Sequence, residues 1–178
     1  IYPLMQALDE EYLKVDAQLG GNDQRKIMVY ARENLPKIGY SSRIELLNPL
    51  IRGLVGEKMS SSIASSKIDL MDDERDVVKK INKADCIAKD PNNGLMALLK
   101  YFIFIVKNDR GEKFLIERSE KYGGNLEYEN YEDLERDFVS GKLHPLDLKN
   151  GVAAEINKLL KNCRENKKLY DLYKKAYE

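Results

Sequence analysis

Residue types that support several common kinds of site are scarce in this 178-residue chain. It contains two cysteines, Cys86 and Cys163, which form no CxxC pair, and a single histidine, His144. A zinc site or a disulfide framework is therefore not expected, and this cysteine content suits a reducing cytoplasm. The longest apolar stretches, residues 95–99 and 101–106, fall far short of the roughly 20 residues that a membrane span needs.

An excess of charge of one sign is also lacking, because 30 basic and 30 acidic side chains balance to a formal net charge of zero. Net charge alone therefore predicts neither nucleic acid nor a membrane as a partner. The chain does have 43% hydrophobic residues, enough for a core, which excludes a wholly disordered segment. It begins with Ile1, has no signal-peptide pattern, and starts with the pattern of a helix interior. We therefore expect a fragment whose upstream part is missing.

The first third of the chain has the pattern of a parallel α/β unit. A strand should end at Gly20-Gly21, and Asn22-Asp23 should provide the N-cap of the following helix. Strand, glycine turn, helix and strand together are typical of a βαβ unit in a parallel sheet. The predicted elements are a helix over residues 1–13, a strand at 15–19, a helix over 24–35 and a buried strand-like segment at 44–54 that is broken by Pro49 and Gly53.

The rest of the chain is predicted to be mainly helical, after a glycine- and serine-rich loop at residues 56–66. One hairpin is expected, in which residues 113–118 and 125–129 pair around a turn at Gly123-Gly124. Helices are predicted over residues 73–84, 94–106, 130–140, 145–163 and 167–176.

One face of the first predicted helix carries three polar side chains that suit a small polar ligand. Tyr2, Gln6 and Asp9 are spaced i, i+4 and i+7, so at about 100° per residue they lie on one side of the helix. The amide can donate and accept hydrogen bonds, and the carboxylate accepts a strong one from a hydroxyl. The same spacing fits the solvent-facing side of an ordinary amphipathic helix, so both interpretations stay open.

The glycine pair after the first predicted strand is a second candidate binding position. Ligands of parallel α/β sheets bind beyond the carboxyl ends of the strands. Gly20 and Gly21 would let the backbone approach a ligand closely there, and the helix N-terminus that follows favours a phosphate or a carboxylate. Asp23 could accept a hydrogen bond from a ribose hydroxyl, and Gln24 would point into the same crevice. An ordinary tight turn is the alternative.

The run Lys58-Met59-Ser60-Ser61-Ser62 is the sharpest local signal. A loop with one cation and several hydroxyls can close over a triphosphate and stabilise the charge that builds on a leaving pyrophosphate. A serine-rich linker or a phosphorylation site has the same composition. The position of the run, after a buried segment and before a helical region, favours the functional interpretation.

Taken together, these motifs resemble those of tyrosyl-tRNA synthetases of the archaeal and eukaryotic type, which are class I aminoacyl-tRNA synthetases. Residues 58–62 are similar to the KMSKS signature loop, in its KMSSS form. Tyr2-Pro3-x-Met5-Gln6-x-x-Asp9 and Gly20-Gly21-x-x-Gln24-Arg25-Lys26 resemble the tyrosine-site motifs of that family. The resemblance continues in the same order through residues 48–49, 66–70, 120–124 and 144–150, and so covers nearly the whole chain.

For tyrosine binding, the resemblance implies a role for four residues. Asp9 would accept a hydrogen bond from the phenolic hydroxyl of substrate tyrosine. Tyr2 and Gln6 would hold the α-amino group, and Gln24 would line the same pocket. Phenylalanine would be rejected, because it leaves a buried carboxylate without its donor.

For ATP, which would bind together with Mg²⁺ as a substrate, the resemblance implies contacts from the glycine turn and the KMSSS loop. Asp23 would contact the ribose beside Gly21, Met59 would lie near the adenine, and Lys58 would act on the pyrophosphate. No protein-bound metal is expected. The implied residues of the catalytic loop are Lys58, Ser60, Ser61 and Ser62.

In the helical part, the resemblance implies recognition of the tRNA anticodon. Tyr122 would stack on the first anticodon base and Asp147 would hydrogen-bond its edge, with His144 and Pro145 nearby. Stacking on an aromatic ring combined with edge contacts is a common way to recognise unpaired RNA bases. The residues alone favour a capping or packing role for His144 at the start of the predicted helix 145–163.

The fold implied by the resemblance is α/β, in two domains. Residues 1–68 would form the second half of a Rossmann-like catalytic domain with a parallel sheet, and residues 69–178 an α-helical anticodon-binding domain. The family's His-x-Gly-His motif, an upstream tyrosine-site residue and most of the dimer interface belong to the first half of that catalytic domain. None of them occurs in this sequence, so the 178 residues alone should be inactive.

The function implied by the resemblance is that of a cytoplasmic tyrosine-tRNA ligase, homodimeric through its first half, with tyrosine, ATP and tRNA(Tyr) as partners and no membrane. Two alternatives stay open, a non-catalytic tRNA-binding fragment and the related tryptophanyl-tRNA synthetase. Asp9 argues against the second, because a phenol is the better donor for that carboxylate.

Overall fold

A computed structural model of the chain describes residues 1–57, 59–60 and 63–177. Its contacts divide the chain into two compact units, Ile1–Leu50 and Ile51–Glu178, which we call unit 1 and unit 2. This division precedes the glycine- and serine-rich loop, whereas the predicted division between residues 68 and 69 follows it. The prediction concerns the two functional domains and stays a prediction.

Unit 1 has the predicted βαβ arrangement. Strands β1 and β2 pair in parallel, with Ala17 opposite Ile44 and Gly21 opposite Asn48. This pairing confirms the parallel α/β pattern. The elements are α1 (Tyr2–Tyr12), β1 (Ala17–Gly21), α2 (Arg25–Asn34) and β2 (Ile44–Asn48).

The start of α2 differs from the sequence prediction, and the end of β2 agrees with it. Asn22 and Asp23 lie in a 3₁₀ turn, Asn22–Gln24, and provide no side-chain cap for α2, so the predicted N-cap is wrong. The turn itself leads into the helix, because the amide of Arg25 donates to the carbonyl of Asn22. Strand β2 ends at Asn48, at the predicted break, since Pro49 has no N–H for a further ladder bond.

The sheet of unit 1 has one face lined by half-buried side chains and one that is open. Leu19, Ile44 and Leu46 point to the open face, where Leu46 is 51% exposed. The small buried cluster of the unit contains Ala7, Ala31 and Leu35, with Leu8 and Tyr40 packed against it.

Unit 2 is mainly helical and contains the predicted hairpin. Strands β3 and β4 pair antiparallel, with Phe114 opposite Tyr128. A π-helical segment, Leu99–Ile103, joins α4 to α5 within the region predicted as one helix. The elements are α3 (Glu74–Lys83), α4 (Gly94–Leu98), α5 (Phe104–Arg110), β3 (Phe114–Ile116), β4 (Leu126–Tyr128), α6 (Tyr131–Ser140), α7 (Pro145–Glu165) and α8 (Lys167–Tyr177). Within the described part of the chain, none of the helices has the length and apolar character required to cross a bilayer.

The core of unit 2 joins both strands of the hairpin to the helices. Phe114, Ile116 and Phe138 are fully buried there. Gly151 of α7 allows the close approach of β3, because a Cβ at this position would lie 2.9 Å from Cγ1 of Ile116. Asp73 caps α3 by accepting a hydrogen bond from the amide of Asp76 at 2.7 Å.

The segment that follows β2 packs into unit 2. Leu54 is only 1% exposed and belongs to the core of that unit. Its amide donates to the carbonyl of Ser66 at 2.9 Å, and its carbonyl accepts from the amide of Asp85 at 2.8 Å. The predicted segment 44–54 is therefore divided between the two units.

Candidate functional site

In unit 1, helix α1 and the turn after β1 bring three of the predicted site residues together. Nε2 of Gln6 donates to Oε1 of Gln24 at 3.3 Å, and Nε2 of Gln24 donates to Oδ2 of Asp23 at 3.2 Å. This hydrogen-bonded chain fixes the orientation of both amides, because each amide group has distinct donor and acceptor ends. Oε1 of Gln6 is buried and has no hydrogen-bond partner among the described residues, so this acceptor remains to be satisfied.

Tyr2 and Asp9 lie on the same helix as Gln6, and both are exposed in unit 1. The carboxylate of Asp9 makes no hydrogen bond or ion pair with another described side chain, whereas Gln6 is half-buried. The face of α1 therefore offers a phenol, an amide and a free carboxylate. Both the binding interpretation and that of a solvent-facing helix side fit Tyr2 and Asp9, but the link from Gln6 to Gln24 supports the first.

The carboxyl ends of both strands of unit 1 meet at the edge that carries this hydrogen-bonded chain. Gly21, the last residue of β1, lies opposite Asn48, the last residue of β2. Asp23 and Gln24 follow directly in the 3₁₀ turn. This edge is where ligands of parallel α/β sheets bind. The sequence assigned no role to Asn48, although the Asn-Pro pair that ends a strand was a signal for it.

The predicted catalytic loop is described in part. Lys58, Ser61 and Ser62 lie outside the described residues, while Met59 and Ser60 are half-buried in unit 2. The buried hydroxyl of Ser66 accepts a hydrogen bond from the amide of Ser60 at 3.0 Å and lies 2.8 Å from the carbonyl of Ile63. Ser66 thus connects the two described ends of the loop. Sequence reasoning missed this role, because a buried serine and an exposed one look alike in a serine-rich run.

Tyr122 lies in the loop between β3 and β4, on the surface of unit 2. It ends a 3₁₀ turn, Glu120–Tyr122, and its ring is exposed, with Nζ of Lys121 located 5.7 Å from the ring centroid. Gly123 follows with φ +93°, a left-handed conformation that glycine adopts without strain. The turn therefore presents an aromatic ring to solvent beside a cation, an arrangement that suits stacking on a base.

The other three predicted anticodon residues lie at the start of α7. His144 is the N-cap, and its Nδ1 accepts a hydrogen bond from the amide of Leu146 at 3.1 Å, which confirms the capping interpretation. Pro145 occupies the first turn, where its missing N–H costs nothing. Asp147, also in the first turn, is partly buried. A carboxylate is favoured at this helix end by the helix dipole.

Arg118 connects the Tyr122 loop to the start of α7. Its Nε donates to the carbonyl of Gly124 at 3.0 Å, and its Nη1 lies 3.7 Å from Oδ2 of Asp147. The structure therefore ties the segments of Tyr122 and Asp147 to one guanidinium group. Sequence reasoning missed Arg118, since a lone arginine after a strand carries no motif.

Further electrostatic contacts stabilise the same corner of unit 2. The hydroxyl of Tyr128 donates to Oδ2 of Asp137 at 3.0 Å, and Nζ of Lys142 donates to the same oxygen at 2.7 Å. Burial and this hydrogen bond raise the pKa of Tyr128, so its hydroxyl stays protonated and a donor. Burial by itself raises the pKa of Asp137, but the hydrogen bonds from Lys142 and Tyr128 outweigh it and the net pKa is lowered.

Metal binding has no candidate cluster in the described part of the chain, which contains no group of three or more His, Cys, Asp or Glu residues placed to hold an ion.

Comparison with known proteins gives the family. The family model described as tRNA synthetases class I (W and Y) matches residues 1–161. The cytoplasmic tyrosine-tRNA ligase of Gallus gallus is 53% identical over 166 residues, which are 93% of this chain and 31% of that protein. That of Saccharomyces cerevisiae is 46% identical, over 99% of this chain and 48% of its own length.

Solved structures agree with the family match. The tyrosyl-tRNA synthetase of Archaeoglobus fulgidus, complexed with L-tyrosine, has a TM-score of 0.79 at 48% identity, over 92% of this chain and 50% of that one. The corresponding protein of Pyrococcus horikoshii has a TM-score of 0.84 at 31% identity, over 96% and 53%. The tryptophanyl-tRNA synthetase of Giardia lamblia has a TM-score of 0.58 at 20% identity, over 86% and 37%, which supports the shared fold alone.

The chain spans between about a third and about half the length of the curated relatives quoted above, so its α/β unit is part of a class I catalytic fold. The match extends through both units, from the polar face of α1 to the start of α7 and beyond. The chain belongs to the class I tRNA synthetases of the W and Y family.

Proposed function

We propose that this chain is the C-terminal part of a tyrosine-tRNA ligase, which activates tyrosine with ATP and transfers it to tRNA(Tyr). The observation that carries the proposal is the hydrogen-bonded chain from Gln6 through Gln24 to Asp23, which starts on the helix that also carries Asp9. It lies at the carboxyl edge of a parallel sheet, in a chain 46–53% identical to proteins named tyrosine-tRNA ligases.

The proposed tyrosine site uses the polar face of α1. Asp9 accepts a hydrogen bond from the phenolic hydroxyl, and Gln6 accepts one from the α-ammonium group through its unpartnered Oε1. Tyr2 completes the ammonium site, and Gln24 holds Gln6 in place. Asp9 is exposed in unit 1, so its carboxylate would favour tyrosine over phenylalanine and over tryptophan once the rest of the catalytic domain encloses it and a phenol supplies its donor.

The proposed ATP contacts come from two segments of the chain, the glycine turn and the KMSSS loop. Asp23 accepts from a ribose hydroxyl next to Gly21, and Met59 lies against the adenine. A carboxylate oxygen of tyrosine attacks the α-phosphorus in line, and the bond to the departing pyrophosphate breaks. Lys58, together with Ser60, Ser61 and Ser62, stabilises the charge that develops on the pyrophosphate. Mg²⁺ enters with ATP, held by the phosphate oxygens that it prefers as ligands.

The proposed anticodon site is built by the β3–β4 loop and the start of α7. Tyr122 stacks on the first anticodon base, and the carboxylate of Asp147 accepts hydrogen bonds from the edge of that base. His144 keeps its capping bond through Nδ1 and, with Pro145, borders the base. The exposed ring of Tyr122 and the partly buried carboxylate of Asp147 fit these two tasks.

The complete protein is proposed to be a cytoplasmic homodimer that associates through its first half. Two of the curated relatives, from Gallus gallus and Saccharomyces cerevisiae, are named cytoplasmic. The open apolar face of the unit 1 sheet, with Leu19, Ile44 and Leu46 exposed, is the surface that the first half of the catalytic domain would cover.

The test is a pair of substitutions in the complete protein. Lys58→Ala should slow tyrosyl-adenylate formation by about 10²–10³-fold, as expected when a group that stabilises transition-state charge is removed, and should leave tRNA(Tyr) affinity unchanged. Asp147→Ala should lower the affinity for tRNA(Tyr) and leave tyrosyl-adenylate formation unchanged. Pyrophosphate exchange and filter binding measure the two quantities, and Lys67→Ala, in the ion pair with Asp69, is the matched lysine control.

Three outcomes would contradict the proposal. Adenylate formation with tryptophan in place of tyrosine would indicate the sister enzyme. tRNA binding without any adenylate formation by the complete protein would indicate a non-catalytic RNA-binding protein. Unchanged pyrophosphate exchange in Lys58→Ala would show that this lysine of the KMSSS loop does not stabilise the departing pyrophosphate.

A further inference from the structure

We propose that Arg118 is a positioning residue for anticodon recognition, which holds the Tyr122 loop and the first turn of α7 in one arrangement. The inference rests on the proposed function, because it assumes that Tyr122 and Asp147 contact the anticodon. Arg118 itself would contact no base, and it would act by positioning Tyr122 and Asp147, which do.

The side chain of Arg118 is almost completely enclosed, with 7% exposed, although it lies two residues after strand β3 in a surface region. Its backbone amide donates to Oδ1 of Asn125 at 3.0 Å, which fixes the position of the residue across the hairpin. A buried guanidinium group requires acceptors for its donors. Three chain segments supply them.

The first segment is the turn that carries Tyr122. Nε of Arg118 donates to the carbonyl of Gly124 at 3.0 Å. A Cβ added to Gly123 would lie 3.5 Å from Nη2, so the guanidinium group packs directly beneath the turn. The turn has its own bond from the amide of Tyr122 to the carbonyl of Ser119 at 2.9 Å, which shapes it locally. Arg118 connects this local shape to the rest of unit 2.

The second and third segments lead into and begin α7. Nη1 of Arg118 donates to the carbonyl of Lys142 at 3.4 Å and lies 3.7 Å from Oδ2 of Asp147. The ion pair occupies one side of the Asp147 carboxylate, while Oδ1 makes no hydrogen bond with another described residue. One carboxylate oxygen is thus oriented by Arg118, and the other can accept from a base.

A second layer of contacts restricts the position of Lys142. Its Nζ donates to Oδ2 of Asp137 at 2.7 Å, and Tyr128 donates to the same oxygen. The carbonyl that Arg118 contacts therefore belongs to a residue whose side chain has its own ion pair, although that side chain is 61% exposed. Because the guanidinium group is planar and rigid, the angles between its donors set the relative placement of the three segments.

Lysine cannot replace this geometry. An ammonium group is a point charge on a flexible stem, so Arg118→Lys can keep the attraction to Asp147 but not the bonds to Gly124 and Lys142 at the same time. We therefore expect the substitution to loosen Tyr122 relative to Asp147. Displacement of a positioned group by about 1 Å can cost about a hundredfold in rate.

The experiment compares Arg118→Lys with Arg164→Lys in the complete protein. Arg164 is the matched control, because it is also partly buried and donates to the carbonyls of Asp72 and Asn157, far along α7 from Asp147. Aminoacylation kcat/KM is measured with tRNA(Tyr) and with tRNA(Tyr) whose first anticodon base is replaced. Pyrophosphate exchange, which needs no tRNA, reports on the catalytic site, and thermal melting reports on folding.

The expected result for Arg118→Lys is a fall of about tenfold or more in kcat/KM for tRNA(Tyr), mainly through KM, with unchanged pyrophosphate exchange. The preference for the cognate anticodon should fall by the same factor, and Arg164→Lys should retain it even if its melting temperature is lower. In a double variant with Asp147→Ala, Arg118→Lys should add little, because the two residues act as one unit.

Equal losses with both tRNAs in Arg118→Lys would indicate a purely structural role and overturn the inference. If Arg118→Lys keeps the preference for the cognate anticodon while Asp147→Ala loses it, the inference about Arg118 is overturned and the proposed anticodon site stands. Absence of discrimination in the unsubstituted protein would overturn the anticodon site itself. If Arg118→Lys does not fold, Asn125→Ala, which releases the backbone of Arg118, provides the same comparison.

Discussion

The two units of the chain differ in how many of their buried polar side-chain atoms have a hydrogen-bond or ion-pair partner. In the described residues, every buried side-chain nitrogen or oxygen without a partner belongs to unit 1, on Gln6, Glu10, Gln18, Arg43 and Glu45. Unit 2 pairs its buried charges, since Lys107 contacts the carboxylates of Glu155 at 2.9 Å and Glu112 at 3.0 Å. Buried polar groups normally have partners, so unit 1 leaves an expectation unmet that the described part of unit 2 meets.

The apolar surfaces show the same difference. Unit 2 buries a large continuous core, whereas the main buried cluster of unit 1 contains three residues and its sheet exposes Leu19, Ile44 and Leu46 on one face. Parallel sheets are normally covered on both faces. The open face of unit 1 is therefore where the proposed first half of the catalytic domain would pack.

The strongest way to break this comparison is to assay the 178 residues by themselves. We expect no tyrosine-dependent pyrophosphate exchange, because the catalytic fold is incomplete, but binding of tRNA(Tyr) that weakens with Asp147→Ala and with rising salt. Filter binding and exchange assays on one preparation measure both, with the complete protein as the control. Robust exchange by the 178 residues would show that unit 1 needs no further chain.

Much of this organisation could be predicted from the sequence, because local signals determine it. Gly123 and Gly124 marked the hairpin turn, and both have positive φ in the structure. Asp73 lies just before its helix, a position where a side-chain cap is common, and it does cap α3. The residues of the tyrosine-site motifs needed the family resemblance, since their spacing on α1 also fits an ordinary solvent-facing side.

What the sequence could not predict depends on contacts between distant segments. Leu54 continues an apolar run after β2, and no local pattern indicates that it joins the core of unit 2. Arg118 contacts residues 6, 24 and 29 positions away, so its role appears only when the hairpin and α7 are folded together. Gly151 is explained by the side chain of Ile116, which packs where a Cβ would lie.

Two substitutions, one in the core of unit 2 and one on the open face of unit 1, test the difference in apolar burial. Phe138→Ala in unit 2 should lower the free energy of unfolding by about 3–5 kcal/mol, since the ring is fully buried and leaves a cavity. Leu46→Ala on the open face of unit 1 should change it by less than about 0.5 kcal/mol in the 178-residue chain. Urea denaturation measures both. A large loss from Leu46→Ala in this chain would mean that the face is already covered.

Glu10 provides a smaller test within unit 1. Glu10 is 3% exposed, and its carboxylate has no hydrogen-bond partner among the described residues. Burial, with the nearby charge of Glu45, raises its pKa against the opposing effect of Arg43. A raised pKa means that the stabilising contribution is complete below the ordinary value of 4.5 and is lost as pH rises through the folded-state pKa. Glu10→Gln should therefore stabilise unit 1 at neutral pH, by on the order of 1 kcal/mol.

Hydrogen exchange of the α1 amides at pH 5 to 8 measures this effect. Glu11→Gln is the control, because Glu11 forms an ion pair with Arg43 at 2.7 Å and its loss should destabilise unit 1. Equal destabilisation by both substitutions would show that the carboxylate of Glu10 is paired in solution.

The smallest expected effect concerns Glu112, whose pH dependence in unit 2 runs in the opposite direction. Hydrogen bonds from Lys158 and from Lys107 lower the pKa of Glu112 to about 2. Its contribution is therefore complete above the ordinary value of 4.5 and is lost as pH falls towards 2. Because the carboxylate is partly exposed, solvent screens the interaction, and Glu112→Gln should reduce the stability of unit 2 only slightly at neutral pH. The same substitution should make the stability of unit 2 depend less on pH between pH 2 and 5. Hydrogen exchange of the α7 amides between pH 2 and 5 measures this pH dependence. The same pH dependence in Glu112→Gln and in the unsubstituted chain would show that the Glu112 carboxylate does not cause it.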